Sequence, residues 1–152
     1  MSQGKRPGGL TALAVINIIF GSLGIIGSGM NVLMGLQPDM IPRPENPTSE
    51  QSQQFEQLDA LLNWDLYWPY ILVSIVSTIL LFVAGIGYLK QKRFLGRTLG
   101  NAYAVTSLIA VGMITAGDPM GAGMNWQTIV GIIYPVLTLF LINTTFKDDL
   151  VH

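Results

Sequence analysis

Four stretches of this chain, at about 10–36, 67–89, 98–116 and 127–146, hold no Asp, Glu, Lys, Arg or His. Each is close to or beyond the ~20 apolar residues that an α-helix, rising 1.5 Å per residue, needs to cross ~30 Å of hydrocarbon. A helix on a water-soluble protein shows a polar face, and none of these stretches has one. They therefore read as four membrane crossings. Composition agrees, since half of the 152 residues are apolar and 11% are charged, against roughly a quarter charged in soluble domains. The predicted fold is all-α: a four-helix transmembrane bundle forming a single integral membrane domain over 1–152.

The first stretch is bounded by Pro7, Gly8 and Gly9 on one side and by Pro38 on the other, so both limits have a backbone cause. Lys5 and Arg6 before an apolar run, with Gly27 and Gly29 later in it, also suggest a cleaved signal peptide. The run exceeds the ~7 to 15 residues of a signal peptide's apolar region, which favours a retained helix that tilts or protrudes.

Basic residues flank the spans unevenly. Lys5 and Arg6 precede the first, Lys90, Lys92, Arg93 and Arg97 separate the second from the third, and Lys147 follows the fourth. The positive-inside rule places these flanks, and both termini, in the cytoplasm. The opposite side receives the outer loop 37–66, with Asp39, Glu45, Glu50, Glu56, Asp59 and Asp65 against Arg43, and the short turn bearing Asp118. The expected location is a cell inner membrane, with the lipid bilayer as first partner. The turn from Lys90 to Arg97 also has the composition to attract anionic headgroups, although topology already accounts for it.

The outer loop divides in two. Pro38, Pro42, Pro44 and Pro47 favour an extended path without helix. After them, Thr48 and Gln51 fit a capping box, and Phe55, Leu58, Leu61 and Leu62 form an apolar stripe on a short amphipathic helix. That helix suits either the bilayer surface or a partner protein. Trp64, Tyr67, Trp68 and Tyr70 at the start of the second span, and Trp126 before the fourth, have the composition of an interface belt. An aromatic cage for a cation is the competing use of the same rings.

In the first span Ala14, Asn17, Gly21, Gly24, Ser28, Asn31 and Gly35 recur at alternating steps of three and four, which puts them on one helix face. Small residues let backbones approach in lipid, and Asn side chains bond across helices. The face suits the seam of the bundle, a contact in a homo-oligomer, or a groove for lipid or solute. Ser74, Ser77 or Thr78, Ala84 and Gly85 offer a matching face in the second span, as Gly100 and Ala104 do in the third. Asn17, Asn101 and Asn143, with Tyr103, fall toward the cytoplasmic ends and are expected to form one polar cluster. Pro135 lacks an N–H and should disturb the bond to the Gly131 carbonyl, producing a kink.

Chemistry is poorly provided for. The chain has no cysteine, and its single histidine is the last residue, His152. Asp148 and Asp149 read as a solvated tail, so no catalytic site, metal site or cofactor is expected, and no nucleic-acid partner. Ion-coupled transporters hold ionisable groups in the membrane, and none lies in these spans. The intramembrane glutamate of small multidrug transporters has no counterpart here.

The segments RPGGLTALAVINIIFGSLGIIG and GIGYLKQKRFLGRTLGNAYAV, the latter from Gly85 to Val105, resemble a family of small uncharacterised bacterial four-transmembrane-helix proteins. Members share a glycine-rich first helix, a Gly-x-Gly-x-Leu-like helix end and a basic turn with an aromatic before Gly-Arg. Here Leu95 separates Phe94 from Gly96, a departure from that turn. The resemblance implies no activity. Claudin-like and tetraspanin-like proteins differ in having outer-loop cysteines.

The leading expectation is a non-enzymatic structural or interaction subunit, associated with itself or with another membrane protein. The alternative is a small transporter or permeation subunit that moves an uncharged or lipid-like solute along the Asn and Gly face of the first helix. An enzyme acting on lipids would need interfacial catalytic groups that the sequence does not offer.

Overall fold

A computed structural model describes residues 8–119 and 125–150. Lys5, Arg6, Pro7 and His152 lie outside the described residues. The helices are α1 (Gly8–Leu36), α2 (Ser49–Leu62), α3 (Tyr67–Leu89), α4 (Leu99–Gly117) and α5 (Trp126–Phe140), and no strand occurs among the described residues. A 3-10 turn spans Pro38–Met40, and π-helical segments at Arg93–Thr98 and Leu141–Thr145 extend α4 and α5. Among the described residues, four helical stretches are long and apolar enough to cross a membrane: Gly8–Leu36, Tyr67–Leu89, Arg93–Gly117 and Thr128–Thr145. The chain is thus an all-α four-helix bundle with the architecture of a multi-pass membrane protein.

The helices pack in sequence order, α1 on α3, α3 on α4 and α4 on α5. Side chains close the ring, for Tyr134 of α5 reaches Asn17 of α1, and a Cβ added at Gly9 would stand 3.0 Å from the Phe146 ring. The main apolar cluster, including Leu10, Leu13, Ala14, Ala84, Ile142 and Phe146, gathers at the end of the bundle where α1 begins and the described chain ends.

That end is also where α3 turns into α4. The turn is a Schellman motif: Gln91 donates to the Tyr88 carbonyl at 3.2 Å, and Lys92 to that of Gly87 at 3.0 Å. Gln91 adopts the left-handed conformation that this position demands, with φ of 50°. Gly87 and Gly96 then meet with almost no space between their backbones.

One expectation needs correction here. The proline-rich part of the loop is not free of helix, because Pro38 starts the short turn at a position where its fixed φ fits and its missing N–H is not needed. Pro135 lies buried inside α5, which stays α-helical on both sides of it. Beyond α5, Phe146 donates to the Leu141 carbonyl at 2.8 Å and closes a π turn.

The capping box of α2 forms as the spacing predicts. Thr48 N–H donates to Gln51 Oε1 at 2.9 Å, and Gln51 N–H to Thr48 Oγ1 at 3.3 Å. Arg43 clips the preceding segment to this helix through a bidentate pair with Asp59, at 2.5 and 3.0 Å, with its guanidinium 5.4 Å from the Phe55 ring centre. The α2 stripe of Phe55, Leu58, Leu61 and Leu62 is half-buried.

Candidate functional site

The small-residue face of α1 lies directly on α3. Ala14, Asn17, Gly21 and Ser28 are buried, and Gly24, Asn31 and Gly35 are half-buried. A Cβ at Gly21 would stand 2.7 Å from the Phe82 backbone nitrogen, one at Gly24 would stand 2.5 Å from Thr78 Cγ2, and one at Gly35 would stand 2.6 Å from the Tyr67 ring. On the α3 side, a Cβ at Gly85 would come within 3.0 Å of the Ala14 carbonyl. Glycine is what permits this approach. On the other side of α1, Ile19, Leu23, Ile26, Met30 and Leu33 are exposed, and with α-helical spacing they form a second, aliphatic stripe.

Polar side chains tie the remaining helices together in two groups. Asn143 Nδ2 donates to Asn101 Oδ1 at 2.6 Å, Asn101 Nδ2 returns a bond to Asn143 Oδ1 at 3.3 Å, and Arg97 Nε donates to the same oxygen at 3.1 Å. The second group forms deeper in the bundle. There the Tyr134 hydroxyl donates to Asn17 Oδ1, and the Tyr134 ring meets those of Tyr103 and Phe20 edge-on. The expected single cluster of Asn17, Asn101 and Asn143 is therefore two. Asn17 bonds Tyr134, while Asn101 and Asn143 bond each other.

Three side-chain atoms in this interior make no hydrogen bond among the described residues: Asn17 Nδ2, Tyr88 Oη and Thr138 Oγ1. All three residues are fully buried. Tyr88 fits because Gly100 has no side chain; a Cβ there would collide with the Tyr88 hydroxyl. Sequence reasoning singled out Asn17 and Tyr103 but missed Tyr88, Tyr134 and Thr138. Tyr134 and Thr138 stand four apart in the fourth span, on one helix face, and that spacing was the available signal.

The aromatic residues divide by environment. Trp68 and Trp126 are exposed, and Trp64 and Tyr70 are half-buried with ring centres 6.1 Å apart. Tyr67 is buried and donates to the Asn31 carbonyl at 2.6 Å. It pins α3 to α1, unlike the headgroup-facing ring that its position suggested. Trp64 packs over Gly117 at the end of α4, where a Cβ would stand 2.5 Å from the indole.

No cluster of metal-ligating side chains occurs among the described residues. Comparison with known proteins finds no matching family model, no matching curated protein and no matching solved structure.

Proposed function

We propose that this chain is a non-enzymatic structural or interaction subunit of a bacterial inner membrane, with both termini cytoplasmic. The observation that carries the reading is the use made of the polar side chains in the spans. The amides of Asn101 and Asn143 satisfy one another, and Asn17 and Tyr67 bond the neighbouring helices. Such bonds fix which helices pair and hold them in register. The orientation rests on charge, since Lys90, Lys92, Arg93, Arg97 and Lys147 gather at one end and the acidic loop lies between the other ends of α1 and α3.

A photo-crosslinking amino acid placed singly at Ile26, Ile133 and Phe140, each at least 58% exposed, tests the role in native membranes. A subunit gives one discrete adduct of fixed mass from at least one position, whether with a second copy or with another membrane protein. A chain that remains uncrosslinked at all three sites overturns the proposal.

The second reading is permeation of an uncharged, hydrogen-bonding solute. The unpartnered Asn17 Nδ2, Tyr88 Oη and Thr138 Oγ1 favour it, because buried polar atoms without partners are costly and a polar visitor would satisfy them.

A further inference from the structure

The geometry points to a binding site for the phosphate headgroup of an anionic phospholipid, formed by Arg93, Arg97 and Lys147 at the basic end of the bundle. These side chains line a cleft of about 260 Å³ together with Asp148 and Leu150. The cleft joins two segments distant in sequence, the π-helical start of the third span and the chain that follows α5. Leu150 brings them together. It is buried, and a Cβ at Gly96 would stand 3.0 Å from its Cδ2, so the chain can seat there because Gly96 has no side chain.

Among the described residues, no ion pair neutralises the cations of this cleft. Arg97 spends its Nε on Asn143, and its terminal nitrogens have no partner among the described residues. Arg93 and Lys147 make no hydrogen bond or ion pair there, and Asp148 pairs with none of the three. The three cations repel one another, and the single Asp148 carboxylate of the lining offsets only part of that charge, so a bound anion is favoured. The arginine fork matches two phosphate oxygens, and a lysine adds a point charge. Arg97 is already oriented by the Asn143 amide, which lowers the ordering cost of binding.

The phosphate belongs to a lipid because of where the cleft lies. It opens at the ends of the membrane-crossing helices, and Phe94, which follows Arg93 in the sequence, is 65% exposed. An aromatic ring at headgroup depth suits the glycerol and upper acyl region of a bound lipid. Generic attraction of basic loops to anionic membranes is a different matter, since it depends on the number of cations and not on their placement.

The test compares two charge-matched variants of the full chain in neutral detergent by native mass spectrometry, with phosphatidylglycerol or phosphatidylcholine added. Wild type should retain one phosphatidylglycerol in preference to phosphatidylcholine. Arg93→Gln/Lys147→Gln should lose that preference by about thirtyfold, at roughly a kcal/mol per cation. Lys90→Gln/Lys92→Gln removes the same charge from outside the cleft and should keep it. Equal losses in the two double variants would reduce the effect to loop charge and overturn the site. Inorganic phosphate alone at a few millimolar should not displace the lipid; full displacement would make the cleft a soluble-phosphate site and overturn the lipid assignment. Arg97→Lys, which keeps the charge but loses the fork, should weaken retention less than the double variant does.

Discussion

Asn101 and Asn143 exchange amide hydrogen bonds between the third and fourth spans, at 2.6 and 3.3 Å, and Arg97 completes the group from the turn below. Interhelical bonds of this kind are worth ~0.6 to 2 kcal/mol in lipid. Asn143→Leu should destabilise the bundle by about that amount and leave the Asn101 amide short of a partner. The double variant with Asn101→Leu should then cost less than the sum of the two single changes. Reversible unfolding in mixed micelles measures the cycle, and strict additivity would show that the pair is not coupled.

The two sides of α1 should respond oppositely to the same small change. Gly21→Ala forces a methyl against the Phe82 backbone, where 2.7 Å is available, and overpacking of this kind costs about 1 to 3 kcal/mol. Gly27 has open space around the same position, so Gly27→Ala should be neutral or stabilise by up to about 1 kcal/mol through helix propensity. Unfolding of the two variants side by side decides the matter. A Gly21→Ala protein as stable as wild type would mean that α1 does not pack on α3 as described.

Much of this was legible in the sequence. Charge-free stretches give the spans because hydrocarbon tolerates so few exceptions, and the Thr48–Gln51 spacing gives a cap because its geometry is local. The small-residue stripe of α1 gave a face but could not name its neighbour, since periodicity says nothing about which helix lies opposite. The pairing of Asn17 with Tyr134 and the clip from Arg43 to Asp59 join residues far apart in sequence. Neither leaves a trace in local pattern. Tyr67 was placed by composition among interface aromatics, and what distinguishes it, the Asn31 carbonyl within reach, exists only after α1 and α3 pack.

Gln91 occupies a left-handed position at the end of α3, with φ of 50°. Gly at that site removes the steric penalty, typically about 1 to 2 kcal/mol, at the expense of some unfolded-state entropy. Gln91→Gly should therefore stabilise the protein by about 0.5 to 1 kcal/mol. Gln91→Val, whose branched side chain resists this conformation, should destabilise it. Thermal unfolding in detergent ranks the three, and a Val variant as stable as the Gly variant would contradict the turn geometry.

The clip from Arg43 to Asp59 should respond to acid. The hydrogen bond from Arg43, with Coulombic attraction added, holds the Asp59 carboxyl below the usual carboxylate range. A depressed folded-state value means that the pair supports the loop above that range and loses its contribution as pH falls through the lowered value. In Arg43→Gln the Asp59 midpoint, followed by carboxyl NMR, should return upward. An unchanged midpoint would show that the guanidinium does not set it.

The central claim is that the polar and small residues of the first helix hold helices together and do not line a path. The chain has no cysteine, so single replacements can be read without background. Asn17→Cys and Asn31→Cys should react with a water-soluble thiol reagent in intact membranes no faster than the lipid-facing controls Leu23→Cys and Ile26→Cys. Faster labelling at both Asn positions would place water along that face and contradict the account.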